Sequence, residues 1–125
     1  MQRTRKNAVA FSSYITEECL RLIEYLSVRE EVTQIVFIRR AVKHFLKGDK
    51  KVDPRIMIRA RKADGYIRRN ALLTGYIDKE QKKILTEIAE EQGANFSQVF
   101  FQCMISYCAL LISLDDTGIE ISKKE

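Results

Sequence analysis

The chain matches itself. When Tyr14-Ile15-Thr16-Glu17-Glu18 is laid over Tyr76-Ile77-Asp78-Lys79-Glu80, an offset of 62 residues, the apolar pattern stays in register without a gap for about thirty residues. Just before each Tyr-Ile the residues alternate. Val9, Phe11, Ser13 and Ile15 fall on one side, with Ala10, Ser12 and Tyr14 on the other. In the second copy Ala71, Leu73, Gly75 and Ile77 oppose Leu72, Thr74 and Tyr76. Period-two alternation reads as a short strand with one buried face. Both copies put a small residue, Ser13 or Gly75, at the same point of that face.

Thr16 and Asp78 follow as N-caps, and Asp78 has Gln81 three residues on as a capping-box partner. The period then becomes helical: Leu22, Ile23 and Leu26 align with Ile84, Leu85 and Ile88. Gly93 supplies a helix stop in the second copy. Glu31 stands there in the first, so a different turn is expected. A second helix follows in each copy, capped by Thr33 or Asn95. Phe37, Ile38, Ala41, Val42 and Phe45 align with Val99, Phe100, Cys103, Met104 and Tyr107 at helical spacing.

A strand of about seven residues cannot stand alone, because its backbone N–H and C=O groups need partners. The other copy is the available partner. The expected fold is mainly α with a short antiparallel two-stranded ribbon. It consists of two fused β-α-α units joined by a linker, with pseudo-two-fold symmetry and a shared core. Residues 1–48 hold a basic arm and the first unit, 49–69 a basic linker, 70–114 the second unit and 115–125 a tail.

Charge separates the copies. The 125 residues carry 22 Lys+Arg against 17 Asp+Glu, net +5. Residues 1–69 are net +9 and residues 70–125 net −4. A basic half points to a polyanion, of which nucleic acid is the commonest in the cytoplasm. Arg3, Arg5 and Lys6 precede the first strand, and Arg68 and Arg69 precede the second. In an antiparallel ribbon these groups flank opposite ends, where DNA backbones would run. The ribbon's outer face carries Ala10, Ser12, Tyr14, Leu72, Thr74 and Tyr76. Such a ribbon fits the B-DNA major groove, about 12 Å wide. Within the linker, Ile56-Met57-Ile58 reads as a further short strand.

The order strand, cap, amphipathic helix, turn, Asn95-Phe96-Ser97-Gln98 and second helix resembles the ribbon–helix–helix superfamily of Arc and MetJ, which read DNA with a β-ribbon. Two units in one chain are similar to the tandem members found among conjugative plasmids, of the TraY type. The resemblance implies base reading by the six outward ribbon residues. It also implies phosphate binding at the N-termini of the second helices, at Thr33 and Gln34 and at Asn95 and Phe96, which agrees with the helix macrodipole. Arg39-Arg40-Ala41 resembles the family's basic-x-Ala step; Phe101-Gln102-Cys103 departs from it. The role so implied is that of a relaxosome accessory factor or a transcriptional repressor on double-stranded DNA, with a relaxase or another conjugation protein as a further partner.

Other classes have less support. One histidine, no glycine-rich phosphate loop, no G-x-S-x-G and no metal-ligand cluster argue against an enzyme, a cofactor or a metal. Cys19, Cys103 and Cys108 are odd in number and lack C-x-x-C spacing, as expected of free thiols in a reducing compartment. Met1–Lys6 is polar with no apolar stretch after it, and no unbroken run of 18 apolar residues occurs, so a soluble cytoplasmic protein without membrane insertion is expected. From Val99 to Leu114 only Gln102, Ser106 and Ser113 are clearly polar. That segment suits either a central core helix or a surface for self-association. The alternative function is an antitoxin-like adaptor that docks another protein through this helix or the basic linker.

Overall fold

A computed structural model describes residues 7–58 and 64–116. Among these, the elements run β1 (Ala8–Ile15), α1 (Glu17–Arg29), α2 (Gln34–Lys47), β2 (Ala71–Asp78), α3 (Lys79–Gln92) and α4 (Phe96–Asp116). The chain is mainly helical, with one two-stranded antiparallel sheet. Ser12 pairs with Thr74 at the middle of the ribbon, Ala10 with Tyr76 and Tyr14 with Leu72.

The alternation seen in the sequence is the alternation of burial. Phe11, Ser13, Ile15, Leu73 and Ile77 are buried, whereas Ala10, Ser12, Tyr14, Leu72, Thr74 and Tyr76 are exposed. Phe11 lies across from Gly75, and a Cβ built there would come within 3.3 Å of the Phe11 ring. The small residue in that position therefore makes room for a large cross-strand neighbour. Beneath the ribbon a single apolar cluster draws on all four helices, including Ile23, Leu26, Phe37, Leu85, Phe100 and Met104. Phe11 and Phe100 pack at 4.7 Å between ring centroids.

Helix α4 is the centre of this arrangement. It touches β1 and each of the other three helices. By length and composition Phe96–Leu114 is apolar enough to cross a membrane, although Gln98, Gln102, Ser106 and Ser113 interrupt its apolar run. Here it behaves as a core helix, with Val99, Phe100, Phe101, Cys103, Met104, Cys108 and Leu111 all buried.

Local chemistry ends most of these elements where the sequence suggests. Thr16 accepts from the Cys19 N–H at 3.0 Å, and Thr33 from the Val36 N–H at 3.2 Å. The expected Asp78–Gln81 capping box does not form: Asp78 makes no side-chain cap bond, and its carboxylate instead lies 3.9 Å from Arg39. The box appears one helix later. Asn95 accepts from the Gln98 N–H at 2.9 Å while Gln98 accepts from the Asn95 N–H at 3.0 Å.

The turn after α1 corrects a second expectation. Glu31 adopts φ 62, matching the left-handed Gly93 at φ 72. Val32 N–H bonds Ser27 C=O at 3.0 Å, as Ala94 N–H bonds Ala89 C=O at 2.8 Å. Both helices thus end in one Schellman-type closure, and the first achieves it with a residue that strains in this region. Glu31→Gly should relieve that strain and raise unfolding stability by about 1 kcal/mol. A urea titration monitored by circular dichroism measures this as a higher midpoint with unchanged slope.

Candidate nucleic-acid interface

The exposed side of the ribbon is made of three cross-strand pairs, Ala10–Tyr76, Ser12–Thr74 and Tyr14–Leu72. Two hydroxyls stand at its centre and an aromatic ring toward each end. Tyr14 is 54% exposed, Leu72 51% and Tyr76 48%. A soluble chain keeps such large apolar surface in the open mainly where something covers it. None of the six carries a charge, so the face can donate and accept hydrogen bonds without attracting phosphate.

Charge comes from beside it. Lys82 of α3 donates from Nζ to the Ala10 carbonyl at 3.1 Å and lies 5.7 Å from the Phe96 ring centroid. A groove of about 540 Å³ brings Lys82 and Phe96 together with Ala10, Ser12, Thr74 and Tyr76. Four of the expected base-face residues and one expected phosphate-site residue therefore share a single concavity. Sequence reasoning did not single out Lys82. Its counterpart at the 62-residue offset is Leu20, so the repeat gave no signal; only its position four residues after the Asp78 cap marked it as near the ribbon.

The N-terminus of α4 is fastened to β1. The Ser13 and Ser97 hydroxyls lie 2.8 Å apart, and the Tyr14 N–H donates to Ser97 Oγ at 3.2 Å. Position 13 is buried, so its small size and its hydroxyl both matter. Asn95, which forms the capping box with Gln98, is exposed, and Phe96 after it is half-buried. At the other end Thr33 and Gln34 are exposed at the start of α2. Gly75 has no hydroxyl to repeat the serine tie; the Arg39–Asp78 pair is one contact between α2 and the end of β2.

The basic groups divide. Arg3, Arg5 and Lys6 lie outside the described residues, as do linker residues Arg59, Arg61 and Lys62. Arg68 is exposed. Arg69 is half-buried, its guanidinium donating to the Ile56 carbonyl at 3.4 Å and lying 5.6 Å from the Phe101 ring centroid. Arg55 pairs with Asp53 at 2.9 Å, and that guanidinium holds the Asp53 carboxyl below the ordinary carboxylate range.

The linker is more ordered than a solvated tether. Its Ile56-Met57-Ile58 segment is not a strand but a run of tight turns, with Ile56 N–H bonding Asp53 C=O and Met57 N–H bonding Pro54 C=O. Val52 and Ile56 are buried in the core. Three glutamines then fix its backbone. Gln92 accepts from the Val52 N–H at 3.0 Å, Gln102 from the Asp53 N–H at 2.7 Å, and Gln98 donates to the Ile56 carbonyl at 3.1 Å. The turns hold because these side chains, together with the local Asp53 and Pro54 carbonyls, supply the backbone with partners. The Asp115–Glu125 tail, with its Ile119-Glu120-Ile121 pattern, lies almost wholly outside the described residues.

No protein-family model, curated protein or solved structure matches this chain.

Gln98 joins the α4 cap to the linker while 1% exposed. Gln98→Ala leaves the Asn95 N–H without its partner and the Ile56 carbonyl with only the longer bond from Arg69, and should destabilise the fold by about 1–3 kcal/mol. Equilibrium denaturation reads that loss, and hydrogen exchange should show it as faster exchange at Asn95.

Proposed function

We propose that this chain is a double-stranded DNA-binding protein that inserts its intramolecular ribbon into the major groove. The observation that carries the reading is the ribbon itself. One face packs on the core, and the other is exposed over the three pairs Ala10–Tyr76, Ser12–Thr74 and Tyr14–Leu72, with hydroxyls and rings suited to base edges. Phosphates would then lie at the N-termini of α2 and α4 and against Lys82, with Arg68 and the N-terminal arm following the backbone.

The resemblance to tandem ribbon–helix–helix proteins belongs to this reading, and one detail of the register supports it. Ser12 and Thr74 correspond at the 62-residue offset and are also cross-strand partners. Ala10 corresponds to Leu72, whose partner Tyr14 corresponds to Tyr76, the partner of Ala10. A pseudo-two-fold axis between Ser12 and Thr74 requires these pairings. The Schellman-type closures at Glu31 and Gly93 recur at the same offset. On this reading two fused units make one DNA-reading face, acting in the cytoplasm as a relaxosome accessory factor or a repressor. No step of it uses catalysis, a cofactor or a metal.

A second reading has its own observation. Tyr25 and Val28 on α1 are 61% and 78% exposed, and the same helix forms one wall of an apolar groove against the second half of α4. That surface suits an adaptor docked on another protein, or pairing with a second copy. A stoichiometric protein complex together with sequence-indifferent DNA binding would favour the adaptor.

Selection of duplexes from a randomised pool should enrich a defined site, and binding to it should weaken linearly in log–log form as salt rises. Replacing Ser12, Tyr14, Thr74 and Tyr76 together by alanine should abolish preference for that site and leave the weaker salt-dependent binding. If the quadruple variant discriminates as the parent does, the ribbon is not the reading head. Lys82→Gln should weaken binding to all duplexes alike and reduce the salt slope by about 1.

A further inference from the structure

Cys19 of α1 and Cys108 of α4 belong to the two ends of the chain, yet they are neighbours where these two helices pack. Both line the same cavity, an apolar groove of about 400 Å³ bounded also by Leu22, Ile105, Ala109 and Ile112. Each is nearly closed off by its neighbours, at 2% and 1% exposure, but the groove reaches them from the α1–α4 surface. That volume admits several molecules the size of water, at about 30 Å³ each. The third cysteine differs. Cys103 is fully buried and does not line the groove.

We propose that Cys19 and Cys108 form a redox site that takes an intramolecular disulfide when a peroxide enters the α1–α4 groove. Nothing in the DNA-binding reading is needed for it. The Cys19 thiol beside it holds the Cys108 thiol below its ordinary pKa, so Cys108 is the one that ionises to the thiolate. That thiolate attacks one oxygen of hydrogen peroxide, the O–O bond breaks, and the hydroxide released is protonated to water. The sulfenic acid left on Cys108 is then displaced by the Cys19 sulfur, which loses its proton as the hydroxyl leaves as a second water. Two S–H bonds are lost, one S–S bond forms, and the peroxide takes up two electrons.

The bond would span most of the chain, tying the helix after β1 to the central helix α4. Closing so long a loop restricts the unfolded chain and stabilises the folded one. Cys103 has no thiol partner in the groove and remains reduced. An odd cysteine count, which argues against a structural framework, is therefore what a pair plus a buried spectator thiol would give.

The test uses the full chain, purified reduced and treated with a small excess of hydrogen peroxide, then unfolded for thiol counting and peptide mass mapping. The expected result is one remaining free thiol, at Cys103, with the Cys19 and Cys108 peptides linked and two hydrogens lost. The oxidised protein should melt roughly 5 °C or more above the reduced one, and dithiothreitol should reverse both changes. Cys103→Ser should still form the link; Cys19→Ser and Cys108→Ser should not. Three free thiols after treatment, a link through Cys103, or bonds only between chains would overturn the proposal. The unsubstituted chain decides these outcomes even if a cysteine variant fails to fold.

Discussion

A two-stranded ribbon has no wider sheet to lean on, so its strands must satisfy each other and helices must cover one of its faces. In this chain the two strands lie at opposite ends of a long stretch of sequence, and everything between them serves that meeting. The α2 and α4 helices carry the largest buried side chains to the underside of the ribbon, Phe37 and Phe100 among them. The Ser13–Ser97 contact fixes where α4 begins relative to β1, and the Phe11–Phe100 contact fixes how closely it approaches. With α4 held there, α1 and α3 pack on its flanks.

The same constraint explains why the linker is not a free tether. The chain leaving α2 must travel back to start β2 antiparallel to β1, and its path crosses the α3–α4 surface. Val52 and Ile56 enter the core along that path, and three glutamines satisfy the backbone around them. Arg69 closes the route by bonding Ile56 and covering Phe101 just before β2 begins. Part of the positive charge that looks available from the sequence is therefore engaged within the chain, Arg69 on a carbonyl and an aromatic ring and the surface Arg55 on Asp53. Lys82, placed beside the ribbon's outer face, gains importance for the same reason: it brings a cation to a surface that has none of its own.

Most of the architecture was readable because it rests on periodicity. Alternation along Val9–Ile15 and Ala71–Ile77 reported which side chains would be buried, and helical spacing did the same for Ile23, Leu26, Leu85 and Ile88. These patterns survive folding because burial selects for them directly. Long-range polar contacts leave no such period. Neither the glutamine ties to the linker nor the shift of the capping box from Asp78 to Asn95 has a signature that distinguishes it from ordinary surface residues. The left-handed Glu31 was hidden for another reason, since its identity disfavours the conformation that the surrounding closure imposes.

The sequence by itself determined that two short strands would each bury one face and that amphipathic helices would follow them, because side-chain hydrophobicity repeats with the period of the backbone that buries it. Which residues meet across the ribbon, how the linker is held, where Lys82 lies and that Cys19 and Cys108 line one groove were decided only by the tertiary structure. Those contacts depend on the angles and separations at which elements pack. Such distances are set by the whole core at once, and no local stretch of sequence carries them.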